Sequence, residues 1–290
     1  MFDAIADAIS RATGTTFDLE SARTVGGGCI NEGYRLTGRT GSYFVKLNRR
    51  SGLDMFEAEA AGLEEMATSP TVRVPAVICH GQTGHLTYLV LEWIDLRSDG
   101  ASGSLGRQLA GMHSFPQAYF GWHRDNTIGS TPQRNEHHDD WIGFWRNCRL
   151  GFQLDLAARL GHGGSLQRIG ERLMDSLEGF FDGYRPYPSL LHGDLWGGNA
   201  AYDAEGRPVI FDPACYYGDR EADLAMTELF GGFGRDFYEG YQDVLPLEPG
   251  YEIRKHLYNV YHILNHLNLF GGGYGKQAEG MMGRLLAELR

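Results

Sequence analysis

Four cysteines in 290 residues, none in a C-x-x-C pair, are too few and too scattered for a disulfide framework or a zinc ribbon. Cys29, Cys79, Cys148 and Cys215 read instead as reduced thiols of a cytoplasmic protein. No apolar run approaches the roughly 20 residues of a membrane span, so no membrane partner is expected. The opening M-F-D-A-I-A-D-A-I-S carries two acids and no basic n-region, and does not read as a secretory signal. Positive charge is also short: 26 basic residues face 37 acidic ones, for a net charge of −11. That argues against nucleic acid or an anionic membrane as the main partner. It leaves a nucleotide open, because a phosphate pocket needs positive groups only locally. No internal repeat or low-complexity tract is present. What remains is ordinary globular composition, 42% hydrophobic and 22% charged, with room for one large domain or two lobes.

The most informative stretch is S-L-L-H-G-D-L-W-G-G-N, Ser189 to Asn199, followed by V-I-F-D-P, Val209 to Pro213. Asp194 stands five positions before Asn199, and Asp212 ends a short β-branched and aromatic run. Phosphoryl transfer from a metal–nucleotide needs such a set: a carboxylate at the acceptor hydroxyl and oxygen ligands that hold Mg²⁺ on the phosphates. H-x-D-x-x-x-x-N followed by a strand-ending Asp resembles the protein-kinase arrangement, with D-P in place of D-F-G. A polar turn between buried strands is the plain alternative. The joint spacing to Asn199 and Asp212 favours catalysis, with Asp194 as the catalytic carboxylate and Asn199 and Asp212 as metal ligands.

Upstream, residues 2–12 read as a short amphipathic helix. T-V-G-G-G-C-I-N follows, with Gly26, Gly27 and Gly28 between candidate strands. Such a turn lets backbone N–H groups approach phosphates. It is not a strict G-x-G-x-x-G, because Asn31 holds the third glycine position. Cys29 lies inside the turn, either as a small packed residue or as a redox-sensitive thiol. Gly41 to Leu47 reads as a strand with Lys46 on the face opposite Tyr43, Val45 and Leu47. The helical segment Asp54 to Met66 offers Glu57 and Glu59, of which Glu59 is preferred as the partner of Lys46. Residues 74–94 read as a hairpin that turns between Gly81 and Gly84. Its end, Glu92, Trp93 and Ile94, is the candidate hinge where adenine meets backbone.

Phe120 to Asn135 is long, rich in turn formers and aromatics, and expected to be irregular but ordered. Asp139 and Asp140 open the next helix. Beyond Asp212, Asp223 is placed to cap a helix or to hold the catalytic loop, a structural role. Asp219 and Glu221 could face the mouth of the site. The helix Leu257 to Phe270 pairs an apolar stripe with Tyr258, Asn259, His262, Asn265 and His266. Aromatic, amide and imidazole groups suit a wall that binds a polyhydroxylated ligand, so Trp196, His262, Asn265 and His266 are the substrate candidates. A satisfied core network is the alternative. His262 and His266 lack any further metal ligand.

With these residues in view, the sequence resembles the fructosamine kinases, or ketosamine-3-kinases, within the aminoglycoside phosphotransferase and choline kinase superfamily. The superfamily motifs are G-G-G-C-I-N at Gly26 to Asn31, Lys46, Glu59, H-G-D-L-W-G-G-N and Asp212. The narrower branch is carried by F-G-W-H-R-D-N-T-I-G-S-T-P-Q-R-N, by F-D-P-A-C-Y-Y-G-D-R-E-A-D-L-A-M, and by L-Y-N-V-Y-H-I-L-N-H-L-N-L-F-G. The resemblance implies an α+β, bilobal protein-kinase-like fold. Residues 1–93 would form a small N-lobe with an antiparallel sheet, and residues 94–290 a larger, mainly helical C-lobe. It implies an ATP- and Mg²⁺-dependent transferase that phosphorylates O3 of ribulosamines or fructosamines, free or on glycated protein, as a deglycation repair. A monomer or homodimer is expected. Aminoglycoside or choline kinases are the alternatives. The absence of D-F-G and A-P-E argues against a protein kinase, and the intact Lys46, Asp194, Asn199 and Asp212 argue against a pseudokinase.

Overall fold

A computed structural model of the chain describes residues 1–26, 31–49 and 52–289. Two compact units divide it, Met1–Gly100 with Ala201–Pro213, and Ala101–Ala200 with Ala214–Arg290.

The first unit holds two helices, α1 (Phe2–Thr13) and α2 (Leu53–Ala67), and five strands. The strands are β1 (Leu19–Val25), β2 (Glu32–Gly38), β3 (Gly41–Arg49), β4 (Val77–Thr83) and β5 (Leu86–Glu92). They pair antiparallel throughout, in the order β1-β2-β3-β5-β4. Alternation along β3 sends Val45 and Leu47 to one face. There they pack with Ile5 and Ile9 of α1 and with Phe17, Leu36 and Val90. Each such fully buried aliphatic side chain contributes about 1.5–3 kcal/mol. The hairpin expected to turn within Gly81–Gly84 pairs on to Thr83 and turns at Gly84, whose φ is 60°.

A short hairpin, Ala200–Tyr202 with Pro208–Ile210, leads to Asp212. Its main chain is bonded to residues 73 and 97: Arg97 and Tyr202 exchange N–H···O bonds of 2.7 and 2.9 Å, and Ile210 N–H donates to Arg73 O at 3.0 Å. The Arg73 guanidinium adds a side-chain tie, 2.5 Å from Glu92 Oε1 and 2.5 Å from Asp203 Oδ2. Burial works to raise the Asp203 pKa. Hydrogen bonds from the Arg207 main chain and side chain and from Arg73 outweigh it and hold it at about 2. A depressed carboxylate contributes stability that is present above its unfolded pKa of about 3.9 and is lost as pH falls through the folded value. Between pH 4 and pH 2 the melting temperature of the wild type is therefore expected to fall faster than that of Asp203→Asn. Parallel melting curves for the two proteins over that window would remove this assignment.

The second unit is mainly helical: α3 (Ser102–His113), α4 (Trp141–Phe144), α5 (Phe152–Arg159), α6 (Ser165–Asp175), α7 (Glu221–Leu229), α8 (Arg235–Val244), α9 (Tyr251–Phe270) and α10 (Tyr274–Glu288). Asp140 caps α4, its Oδ2 accepting from Gly143 N–H at 2.6 Å. The helix then widens into a π-helical stretch, Trp145–Gly151, before α5. The segment expected to be irregular contains a small hairpin, Asn126–Ile128 with Thr131–Gln133.

Glycine decides how closely α3 and α8 approach. A Cβ on Gly106 would lie 2.0 Å from Phe237 O, and one on Gly240 would lie 2.3 Å from Gly103 O. Neither obstacle is a flexible side-chain tip, so the helices would have to part. Gly106→Ala is expected to destabilise the protein by about 1–3 kcal/mol, the usual cost of overpacking. An unchanged urea midpoint would show that the helices can separate freely. α9 is buried on nearly every side, from Leu257 to Asn265. Among the described residues, no helix is long and apolar enough to cross a membrane.

Candidate active site

The loop that bears Asp194 leaves a fully buried strand, Ser189–Leu191, which pairs antiparallel with Tyr216–Gly218. Gly193 takes φ 80°, and a Cβ there would sit 2.1 Å from Ala214 O, so glycine is required. Asp194 N–H donates to His192 Nδ1 at 3.3 Å, which turns the loop so that Leu195 is buried and Asp194 is only half-buried. Asn199 closes the loop. Its N–H donates to Trp196 O at 2.9 Å, and its Nδ2 donates to Asp194 O at 2.9 Å and approaches Asp194 Oδ2 at 3.5 Å. With Nδ2 so engaged, Oδ1 is the amide atom suited to a cation.

Asp223, in the first turn of α7, holds this loop from behind. Its carboxylate accepts from His192 N–H at 2.7 Å and Gly193 N–H at 2.8 Å. His113 Nε2 lies 3.2 Å from the same carboxylate, and Tyr241 Oη lies 2.9 Å from His113 Nδ1. Burial alone would raise the Asp223 pKa. The bond and charge of His113, together with His192 and the Gly193 amide, outweigh it and lower it. The group is therefore an ionised anchor whose acceptors are filled by the loop's own backbone.

In the first unit Lys46, Glu59 and Asp212 come together. Lys46 Nζ lies 2.6 Å from Glu59 Oε1 and 2.5 Å from Asp212 Oδ1. Burial alone would lower the Lys46 pKa; the two carboxylates outweigh it and raise it. Burial raises that of Glu59, against the opposing charge of Lys46. Lys46 is a permanent cation here, aimed by Glu59 from within the fold. The Asp212 side chain is 44% exposed, so this carboxylate can meet a further ligand. Asp212 has φ 59° and is the one non-glycine among the described residues with positive φ. Asp tolerates that region, but such a conformation costs roughly 1–3 kcal/mol and concentrates at functional positions.

The glycine turn is only partly described. Gly26 is exposed, whereas Gly27, Gly28 and Cys29 lie outside the described residues. Glu92 N–H pairs with Ala76 O at 2.8 Å, and Trp93 lies under the Arg35 guanidinium at 4.4 Å, its Nε1 donating to Asp95 at 2.8 Å. Ile94 follows, half-buried, beyond the end of β5.

The substrate candidates differ in exposure. Trp196 is 41% exposed, with its ring over Gly198. His266 is half-buried among Phe230, Phe270 and Tyr274, and its Nδ1–H donates to His262 O at 2.8 Å. His262 and Asn265 are buried. Burial first, then His266 and Arg149, pushes the His262 pKa down to about 3, so its imidazole is neutral. Asn265 accepts from Gln153 at 3.3 Å and donates to Ile128 O at 3.4 Å.

Asp219 and Glu221 do not face the mouth of a site; both are buried. Asp219 accepts from Tyr184 at 2.8 Å and from Tyr258, and the Glu221 N–H donates to it at 3.0 Å. Glu221 forms a two-point pair with Arg254, 2.7 and 2.9 Å. Sequence reasoning missed Arg254 and the fully buried Arg149. Arg149 donates to Arg134 O and Asn135 Oδ1 and lies 4.0 Å above the Tyr216 ring. Neither is marked out by its neighbours, since Arg254 stands in E-I-R-K-H and Arg149 in R-N-C-R-L, which read as ordinary polar stretches.

The fructosamine kinase family model matches residues 1–288. The "Probable ketoamine kinase" of Synechocystis sp. is 49% identical, over 97% of this chain and 96% of its own. A chloroplastic protein-ribulosamine 3-kinase of Arabidopsis thaliana is 45% identical, over 96% of this chain and 86% of its own. A crystal structure of a proposed fructosamine-3-kinase from Haemophilus somnus is similar at a TM-score of 0.90 and 27% identity, covering 99% and 98% of the two chains. A five-stranded antiparallel sheet with a mainly helical remainder is the kinase-like fold, and the chain is a phosphotransferase with an alcohol group as acceptor. It belongs to the fructosamine kinase family.

Proposed function

We propose that the protein is an ATP- and Mg²⁺-dependent ketosamine kinase that phosphorylates O3 of ribulosamines or fructosamines, free or on glycated protein. The observation that carries the phosphoryl-transfer part is Lys46 held between Glu59 and Asp212. An oriented ammonium beside an exposed carboxylate suits a phosphate oxygen and its counter-cation. The acceptor class is supported by relatives described as ketoamine and ribulosamine kinases.

In this reading Asp194 takes the O3 proton as O3 bonds to the γ-phosphorus and the bond to ADP breaks. Lys46 neutralises charge on the phosphates, and the turn at Gly26, Gly27 and Gly28 covers them. The backbone of Glu92, Trp93 and Ile94 receives adenine, and Trp196, His262, Asn265 and His266 serve the sugar. Asn199 Oδ1 and the Asp212 carboxylate are hard oxygen donors and fit Mg²⁺. When bound, the ion supplies charge neutralisation on the transferring phosphate. Asp223 keeps the Asp194 loop in shape, a structural role.

The test is ATP consumption with ribulosamine, fructosamine, an aminoglycoside and choline as acceptors, and product analysis by NMR. Turnover on a ketosamine with a 3-phosphate product is expected. Turnover confined to the aminoglycoside or choline would overturn the acceptor class, and ATP binding without turnover on any of the four would mark a pseudokinase.

A further inference from the structure

The second unit brings three kinds of ligand atom together. Glu136, His138 and Cys148 each offer one, and these atoms lie within 4.8 Å of one another. His138 Nε2 and Cys148 Sγ are 3.7 Å apart. With metal–sulfur near 2.3 Å and metal–nitrogen near 2.0–2.1 Å, the S···N edge of a tetrahedral zinc site is about 3.6 Å. The S···N edge therefore needs almost no adjustment, and the exposed Glu136 side chain would close in to complete the set.

The frame is also rigid. The His138 main chain exchanges two bonds of 2.9 Å with Phe120, and its ring meets Phe144 edge-on at 5.7 Å. Cys148 is buried in the π-helical stretch Trp145–Gly151. Next to it, Arg149 donates to Arg134 O at 2.6 Å and to Asn135 Oδ1 at 2.9 Å. Glu136 is exposed, so the cluster opens to solvent on its side.

We propose that Glu136, His138 and Cys148 form a binding site for Zn²⁺ or a chemically similar divalent cation, with water as the fourth ligand. A thiolate and a carboxylate together balance the charge of the ion, and a neutral imidazole completes the set. Sulfur and nitrogen donors select zinc-like ions over Mg²⁺, so this site does not compete for the metal of the phosphoryl-transfer site. On binding, the Cys148 S–H bond is lost, its proton goes to solvent, and a sulfur–metal bond forms without change of oxidation state. The ion would tie the 134–138 segment to the π-helical stretch and so brace Arg149. The competing reading is an ordinary hydrogen bond between the thiol and His138.

The test uses the full-length chain, stripped with a chelator and titrated with Co²⁺ in the presence of Mg²⁺. One equivalent should bind, with a near-ultraviolet thiolate-to-cobalt charge-transfer band that Zn²⁺ abolishes. Zn²⁺ should also raise the melting temperature in a concentration-dependent way. Cys148→Ser should remove the band. His138→Asn and Glu136→Gln should each weaken Co²⁺ binding by more than about 10-fold, a loss that even partners outside the ligand shell can cause. A folded wild-type chain that shows no thiolate band overturns the site. So does a band that survives Cys148→Ser, which would belong to another thiol. If Cys148→Ser does not fold, undiminished binding in His138→Asn is equally decisive against it.

Discussion

Asp194→Asn is expected to lower kcat on a ketosamine by about 10²–10⁴-fold, the size of a general-base contribution. That corresponds to about 2.7–5.5 kcal/mol of transition-state free energy. The fold should survive, because what fixes the loop is backbone. The Asp194 N–H reaches His192, the Asp194 carbonyl receives Asn199 Nδ2, and the flanking amides of residues 192 and 193 go to Asp223. At residue 194 these bonds use main-chain atoms, and the 3.5 Å approach of Asn199 Nδ2 to Asp194 Oδ2 is one that an asparagine oxygen can still accept. The melting temperature and the KM for ATP should therefore stay close to wild type while turnover collapses. Asn199→Ala would be a less clean probe, since it also removes the bond to the Asp194 carbonyl. Near wild-type turnover in Asp194→Asn would mean that the proton leaves by another route.

The second large effect concerns stability. Arg254→Met is expected to cost about 3–5 kcal/mol, the usual result of leaving one partner of a buried ion pair behind. Both side chains are almost fully buried, at 2% and 0% exposure, and Asp219 lies close by in the same helix entry. The Arg254 guanidinium also lies 3.8 Å from the Tyr184 ring, whose hydroxyl donates to Asp219. Burial raises the Glu221 pKa even with Arg254 in place, and Asp219 adds to the rise. Without the arginine it rises further and the folded state holds a proton that the unfolded state releases. Glu221 already stands at about 7 in the wild type, so the deficit should open as pH increases above 7. Urea unfolding of Arg254→Met below and above that pH measures both the loss and its slope. The double variant Glu221→Met with Arg254→Leu should recover most of the loss, because apolar replacement removes both desolvation costs. A single-variant loss under about 1 kcal/mol would show that water reaches Glu221. Since Asp223 sits in the same first turn of α7, loosening this turn should also slow turnover.

Some of the architecture could be read directly. Alternation along β3 separates Lys46 from Val45 and Leu47, so one face of the sheet carries the ammonium and the other the core. Helical periodicity means that Glu57 and Glu59 cannot both face the same strand, being about 200° apart around the axis. It does not say which one turns inward; the packing of α2 brings Glu59 to Lys46. For α9 the pattern alone did not decide. A ligand-binding wall and a satisfied core network are both open to this pattern, and Tyr258, Asn259, His262 and Asn265 are all buried. Their partners lie on other elements, Tyr258 with Asp219 and Asn265 with Gln153. Side chains contributed from such distances leave no local trace.

The same contrast holds for the acids beyond Asp212. Asp219, Glu221 and Asp223 are alternate residues of one segment and look alike in sequence. Only their partners separate them: tyrosine hydroxyls for Asp219, Arg254 for Glu221, and the loop backbone for Asp223. The sequence by itself determined the chemical class, because Asp194, Asn199 and their glycines lie within one short loop whose geometry follows from spacing. The tertiary structure alone decided which carboxylates reach Lys46 and which are sealed into the core. Burial, and the charge partner that makes burial tolerable, depend on residues far away along the chain.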